Sequence, residues 1–153
     1  MLENTQAPAF ELVASNGEQV KLSDFLGMNV VLYFYPKDMT PGCTTQACSF
    51  RDEKQSFDLM NTIILGISTD SIERHKKFID KYDLPFLLLS DEEATVCKLY
   101  DVWKLKKNFG KEYMGIERST FFINKEGVIE KEWRKVKVAN HIEEVLDYIK
   151  NNE

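Results

Sequence analysis

Tyr33-Phe34-Tyr35-Pro36-Lys37-Asp38-Met39-Thr40-Pro41-Gly42-Cys43-Thr44-Thr45-Gln46-Ala47-Cys48 is the stretch on which the reading of the fold turns. It continues a β-branched and aromatic run that begins at Asn29. That run predicts a buried strand over 29–35, ended by Pro36, which cannot donate to a sheet ladder. Thr40, Pro41 and Gly42 follow as a short loop. No Pro or Gly interrupts the chain from Cys43 to Leu59, which predicts a helix over 43–59. Cys43 therefore stands in the first turn of a helix, just past the carboxyl end of a central strand. Open α/β sheets bind their ligands at that place.

Working outward, Thr62–Ile67 and Pro85–Leu89 read as two more buried strands. Ser71–Tyr82 reads as a helix with Ile72, Phe78, Ile79 and Tyr82 on one face, and Glu92–Tyr100 as a shorter one. Upstream, Phe10–Val13 and Glu18–Leu22 form a hairpin around Ser15-Asn16-Gly17. Downstream, Ser119–Ile123 and Val128–Trp133 flank a second turn at Asn124–Gly127. Asn140, with Glu143 three residues on, offers a cap for a last helix carrying Ile142, Val145, Leu146 and Ile149. Lys104–Ile116 has lysines, two glycines and no clear period, and is expected to be a long loop. Strands alternating with helices and closed by a hairpin predict an α/β fold, a central mixed sheet flanked by helices. The order resembles the thioredoxin fold with an N-terminal β-hairpin extension. Without repeats or Pro/Gly/Ser linkers, residues 1–153 read as a single domain.

Composition narrows the function. The 153 residues are 43% hydrophobic, enough to bury a core without disulfide staples. Twenty basic against 25 acidic residues leave a net charge of −5, which argues against nucleic-acid binding and against a polybasic membrane surface. The longest uninterrupted apolar run, Val30–Tyr35, is far short of the roughly 18 residues that cross a bilayer. Residues 1–10 show no basic region followed by an apolar stretch, so a cytoplasmic location is expected. The three cysteines are too few, and odd in number, for a disulfide framework. No C-x2-C pair is present, so neither zinc nor another metal is expected. The sequence also lacks phosphate-binding loops, and no cofactor is implied.

The position of Cys43 has chemical consequences. A first helical turn leaves N–H groups unpaired and carries about half a positive charge. Both favour a thiolate over a thiol, and the thiolate is the nucleophile. Cys43, Ala47, Phe50 and Phe57 share the inward face; Cys48 falls with Thr44, Arg51, Asp52 and Gln55 on the polar one. In an intact helix, residues five apart are separated by about 7.5 Å of rise and about 140° of rotation, placing their Cα atoms about 8.7 Å apart. A disulfide usually needs less than about 6.8 Å. Cys43 and Cys48 can pair only if the first turns unwind, which predicts two local structures and a redox-linked change between them.

Pro36-x-x-x-Thr40-x-x-Cys43 is similar to the active-site motif of the peroxiredoxins. With a second cysteine five residues on, the run resembles the subfamily called bacterioferritin comigratory protein or peroxiredoxin Q. The resemblance extends from Ala7-Pro8 through Gly115–Phe122 to the last helix. It implies that Cys43 is the peroxidatic cysteine, attacking the terminal peroxide oxygen and becoming a sulfenic acid. It implies that Thr40 hydrogen-bonds thiolate and peroxide, that Arg118 stabilises both, and that Pro36 shields the site from water. Cys48 matches the resolving cysteine, which closes an intramolecular disulfide with Cys43. The implied substrates are hydrogen peroxide and organic hydroperoxides, and the implied reductant is thioredoxin or a similar dithiol. An internal resolving cysteine removes the need for a second subunit, so a monomer is expected. Two other functions compete: a protein dithiol-disulfide oxidoreductase, which C-x4-C disfavours against C-x-x-C, and a thiol-based sensor without turnover.

Other residues have plainer expectations. Cys97, among apolar neighbours in a helix, is expected to be packed rather than a second resolving cysteine. His75, between Arg74 and two lysines, is expected to be partly exposed, and Lys37 and Asp38 to be solvated loop charges. Trp103 and Trp133 are expected to pack. Tyr33 and Tyr35 are expected in the core, where either could border the peroxide pocket.

Overall fold

The computed structural model describes residues 2–152. Its main sheet holds eight strands in the order β1-β10-β9-β4-β5-β6-β2-β3. These are β1 (Thr5–Gln6), β2 (Glu11–Ala14), β3 (Gln19–Lys21), β4 (Asn29–Phe34), β5 (Thr62–Ser68), β6 (Leu87–Ser90), β9 (Ser119–Ile123) and β10 (Val128–Trp133). The β4, β5 and β6 strands run parallel, and β9 joins β4 antiparallel. The N-terminal hairpin, β2 with β3, extends the β6 edge. The mixed α/β sheet with its hairpin extension is the expected architecture, with one short strand, β1, added beside β10.

Alternation along β4 builds two cores. Val30, Leu32 and Phe34 face one side, where Cys97 and Tyr100 pack. Val31, Tyr33 and Tyr35 face the other, where Cys43, Phe50, Phe78 and Val145 pack. The second side carries α1 (Pro41–Asp52), α2 (Lys54–Leu59), α3 (Ile72–Tyr82) and α5 (His141–Asn151); α4 (Thr95–Leu99) lies on the first. Tyr33 stacks on Phe50 with ring centroids 4.6 Å apart, seating α1 over the end of β4.

Four local expectations are corrected. The helix predicted over 43–59 begins earlier, at Pro41, which suits a first helical position because it has no N–H to leave unpaired. It also breaks at Glu53, whose φ of −106° and ψ of 9° end α1 and start α2. The expected loop over Lys104–Ile116 is instead a two-stranded ribbon, β7 (Trp103–Asn108) with β8 (Lys111–Ile116), turning at Phe109 and Gly110 with φ of 53° and 76°. Much of it faces solvent, so no burial period marks it. The helix expected over 92–100 is confined to Thr95–Leu99. Asn140 does precede α5, but with a left-handed φ of 62° and no capping bond from its side chain.

Candidate active site

The end of β4 delivers the site. Tyr35 is buried, Pro36 half-buried and Lys37 exposed as the chain leaves the sheet. Met39 then adopts a left-handed φ of 65°, and extended Thr40 caps α1. The Thr40 carbonyl accepts from Thr44 N–H at 2.8 Å, so the Gly42 and Cys43 N–H groups are the donors a first turn leaves free. Helical Cβ atoms tilt toward the N-terminus, which sets the Cys43 sulfur beside those donors. Cys43 is 2% exposed.

Arg118 arrives from another part of the chain, the short link between β8 and β9. Its carbonyl accepts from Val136 N–H at 2.9 Å, which steadies the link. Its Nη2 lies 3.3 Å from Cys43 Sγ, and its Nη1 donates to Gln46 Oε1 at 2.5 Å. Gln46, one turn after Cys43 and fully buried, thus orients the guanidinium. Gly42 leaves room for it: a Cβ there would sit 3.3 Å from Nη2. Gln46 Nε2 and the Tyr33 hydroxyl are buried without a hydrogen-bond partner. Burial foremost, then the charges of Asp38 and Cys43, hold the Tyr33 phenol well above its ordinary range, so it remains a donor. The half-buried Lys106 of β7 is held below its ordinary value, first by desolvation and then by the charge of Arg118.

Among the residues singled out from the sequence, Cys43 and Arg118 are brought together. Thr40 caps the same helix, but its hydroxyl donates to the Lys37 carbonyl at 2.8 Å. Cys48 lies half-buried within intact α1, both sulfurs being free. Farther along α1, Arg51 Nη1 donates to the Tyr82 carbonyl at 2.7 Å and fastens the far half of the helix to α3. Cys97 is packed, as expected, and the sheet stands between it and Cys43. Burial pushes the Cys97 thiol strongly up, and Asp91 adds to this. Trp103 and Trp133 pack as expected, Trp133 edge-on to His141 and Tyr148.

Two expectations fail. His75 is wholly buried rather than partly exposed, and Asp38 is buried rather than solvated. They face each other, His75 Nδ1 lying 2.6 Å from Asp38 Oδ2. The signal for His75 was present: it stands three residues after Ile72 and three before Phe78, on the inward stripe. Gln46 and Gly42 were also passed over, and their spacing from Cys43 is the signal that could have found them. Two clefts, of about 470 and 480 Å³, are lined by residues such as Leu12 and Val96, or Met60 and Ile149; Cys43 borders neither.

A strand-to-helix junction of a thioredoxin-like sheet, holding a cysteine sulfur against a guanidinium, defines a thiol-based oxidoreductase. Residues 4–132 match the AhpC/TSA family model. The chain is 61% identical to peroxiredoxin Bcp of Bacillus subtilis over 146 residues, 95% of this chain and 93% of that protein. It is 46% identical to peroxiredoxin Bcp of Escherichia coli K12, over 95% and 94% of the two chains. The solved structure of Xanthomonas campestris bacterioferritin comigratory protein, described for its alkyl peroxide reduction activity, superposes with a TM-score of 0.89. It has 43% identity and covers 94% of this chain and 91% of that one. BcpB of Mycobacterium tuberculosis gives 0.89 at 32% identity, over 100% and 99%. The chain belongs to the AhpC/TSA family and is a peroxiredoxin. It is accordingly a peroxidase of the oxidoreductase class, acting on peroxides with a thiol reductant. Among the described residues, no helix is long and apolar enough to cross a membrane.

Proposed function

We propose that Cys43 is the peroxidatic cysteine and Cys48 the resolving one, acting within one thioredoxin-like domain. The observation that carries this reading is the 3.3 Å contact between Arg118 Nη2 and Cys43 Sγ at the mouth of α1. The guanidinium and the free N–H donors favour an anionic sulfur there. The thiolate attacks the terminal peroxide oxygen, the O–O bond breaks, and water or an alcohol leaves after taking a proton. Cys43 becomes a sulfenic acid. Arg118 donates to the peroxide oxygens as charge moves to the leaving one. Thr40 turns its hydroxyl to the bound peroxide, and Pro36 keeps bulk water from the sulfur.

The Cys48 thiol then displaces the sulfenic hydroxyl as water, and a Cys43–Cys48 disulfide forms. Both cysteines lie within Pro41–Asp52, so this step requires the first turns of α1 to open. A dithiol protein of the thioredoxin type reduces the disulfide. Substrates are hydrogen peroxide and organic hydroperoxides, the latter supported by the alkyl peroxide activity described for the Xanthomonas relative. The protein acts as a monomer in the cytoplasm.

The test is Cys48→Ser. A single equivalent of peroxide is expected to be consumed at the normal rate, after which thioredoxin-driven turnover stops. Mass spectrometry of the oxidised wild type is expected to join Cys43 to Cys48. Normal recycling by the variant, or a bridge to Cys97, overturns the assignment of Cys48.

A further inference from the structure

The loop that feeds Cys43 into place is held from behind by a second polar cluster. Asp38 and His75 are both completely buried. His75 Nε2 lies 3.1 Å from the Leu89 carbonyl, which only accepts, so Nε2 carries a hydrogen. A further proton lies between His75 Nδ1 and Asp38 Oδ2, which are 2.6 Å apart. The Tyr35 hydroxyl donates to Asp38 Oδ1 at 2.5 Å. The main chain of Asp38 is fastened as well: its N–H donates to Asp70 Oδ2 at 2.7 Å, and its carbonyl accepts from Arg74 Nη2 at 2.9 Å. Asp70 is itself fixed by the Ser68 hydroxyl at 2.7 Å and by Arg74 Nε at 3.1 Å. Asp38, Asp70 and His75 present ligand atoms within 4.8 Å of one another, as a metal site does. Each of those atoms already has its own protein partner, so the cluster is built as a clamp.

What the clamp holds is the entry to α1. Met39 follows Asp38 directly in a left-handed conformation, which is costlier for a non-glycine residue than the right-handed or extended regions. Thr40 and the helix come next. Opening the first turns of α1 is also the movement that brings Cys48 to the sulfenic acid. Resting on the peroxidatic reading of Cys43, we propose that Asp38 and His75 are a positioning pair that keeps the first turn of α1 folded around Cys43. The pair thereby sets how long the sulfenic acid waits for Cys48.

The waiting time decides between two fates. Either the Cys48 thiol condenses with the sulfenic acid, forming an S–S bond and releasing water, or the sulfenic acid takes an oxygen atom from a second peroxide. In that case it becomes a sulfinic acid and an alcohol or water leaves. Holding the turn folded favours fast peroxide capture and slow resolution. Loosening it is expected to reverse both.

The experiment compares wild type, Asp38→Asn and Arg74→Met as full-length proteins under excess hydrogen peroxide, with quenched-flow mass spectrometry. Asp38→Asn keeps the shape and removes the charge. Arg74 has a side chain 43% exposed, so Arg74→Met releases the Asp38 carbonyl without opening a core cavity. Ile129→Val, in the opposite core, is the control for stability loss alone. The sulfinic-to-disulfide ratio is expected to fall about tenfold in Asp38→Asn, the population shift that follows loss of roughly one charged hydrogen bond. Arg74→Met is expected to change in the same direction by less, and Ile129→Val not to change. The first oxidation is expected to slow in both clamp variants. An unchanged or raised ratio in a folded clamp variant overturns the proposal, as does an equal shift in Ile129→Val. If Asp38→Asn fails to fold, Arg74→Met decides by the same criterion. Wild-type Cys43 that ignores peroxide overturns the peroxidatic reading, and the clamp falls with it.

Discussion

Two polar clusters flank the carboxyl end of β4, and they differ in how many of their polar atoms have partners. On one side, Cys43, Arg118 and Gln46 meet beside a free helix N-terminus, with Gln46 Nε2 and the nearby Tyr33 hydroxyl unpaired. On the other, both carboxylate oxygens of Asp38 and of Asp70, and both ring nitrogens of His75, are hydrogen-bonded. A buried polar atom without a partner costs about 1–3 kcal/mol. Such atoms are open to a ligand that supplies the missing bond, whereas a saturated cluster has nothing left to offer one. On the roles proposed above, the difference separates the part of this site that reacts from the part that holds.

The sharpest way to break that distinction is Cys43→Ser. Peroxide consumption is expected to fall to the uncatalysed rate while circular dichroism and the melting temperature stay near wild type. Residual turnover would place the chemistry elsewhere. The opposite pattern is expected on the saturated side. His75→Ala leaves a buried carboxylate uncompensated and is expected to cost about 3–5 kcal/mol of stability, read as a lowered urea midpoint. A loss within experimental error would mean that the Asp38–His75 pair holds nothing. Arg118→Met tests the reactive side again. Removing a preorganised donor costs about 10²–10³ in rate, so the second-order constant for peroxide is expected to fall by that factor with little change in melting temperature. An equal loss of stability would move Arg118 to the holding side.

These two clusters were not equally legible in the sequence. Cys43 was, because a strand, a loop and a helix start are short-range patterns and the cysteine stands at their junction. Its partner Arg118 lies 75 residues away, and only the family resemblance singled it out. His75 could have been placed by its spacing from Ile72 and Phe78, but its charged neighbours suggested exposure. Asp38 was not legible: one loop aspartate is buried here because Tyr35 just past β4, Asp70 in the β5–α3 link, and Arg74 and His75 of α3 converge on it. The β7–β8 ribbon was missed for the converse reason. With Leu105, Phe109, Tyr113 and Met114 exposed, it buries little beyond Trp103 and Ile116 at its base, too little to impose a period on the sequence. The β4–β5–β6 strands were read correctly because burial on both faces writes itself as continuous apolar runs.

The smallest expected effect concerns His141, which sits between the two patterns. It is buried, with Nε2 satisfied by the Thr120 hydroxyl at 2.8 Å and Nδ1 only 3.7 Å from exposed Glu144. Desolvation pushes its pKa below the ordinary value; the charge of Arg118 adds to this and Glu144 opposes it. The folded state therefore resists a proton that the unfolded chain accepts below about pH 6.5. By linkage the unfolded state then binds more protons, so stability is lost as pH falls through that value and levels off once the folded imidazole also titrates. One group contributes at most about 1.4 kcal/mol per pH unit. His141→Gln keeps a polar side chain at the position and does not titrate. The stability difference between pH 7.5 and 5.5, from urea melts, is expected to be smaller in the variant than in wild type. An identical difference would show that protonation of His141 is not linked to unfolding.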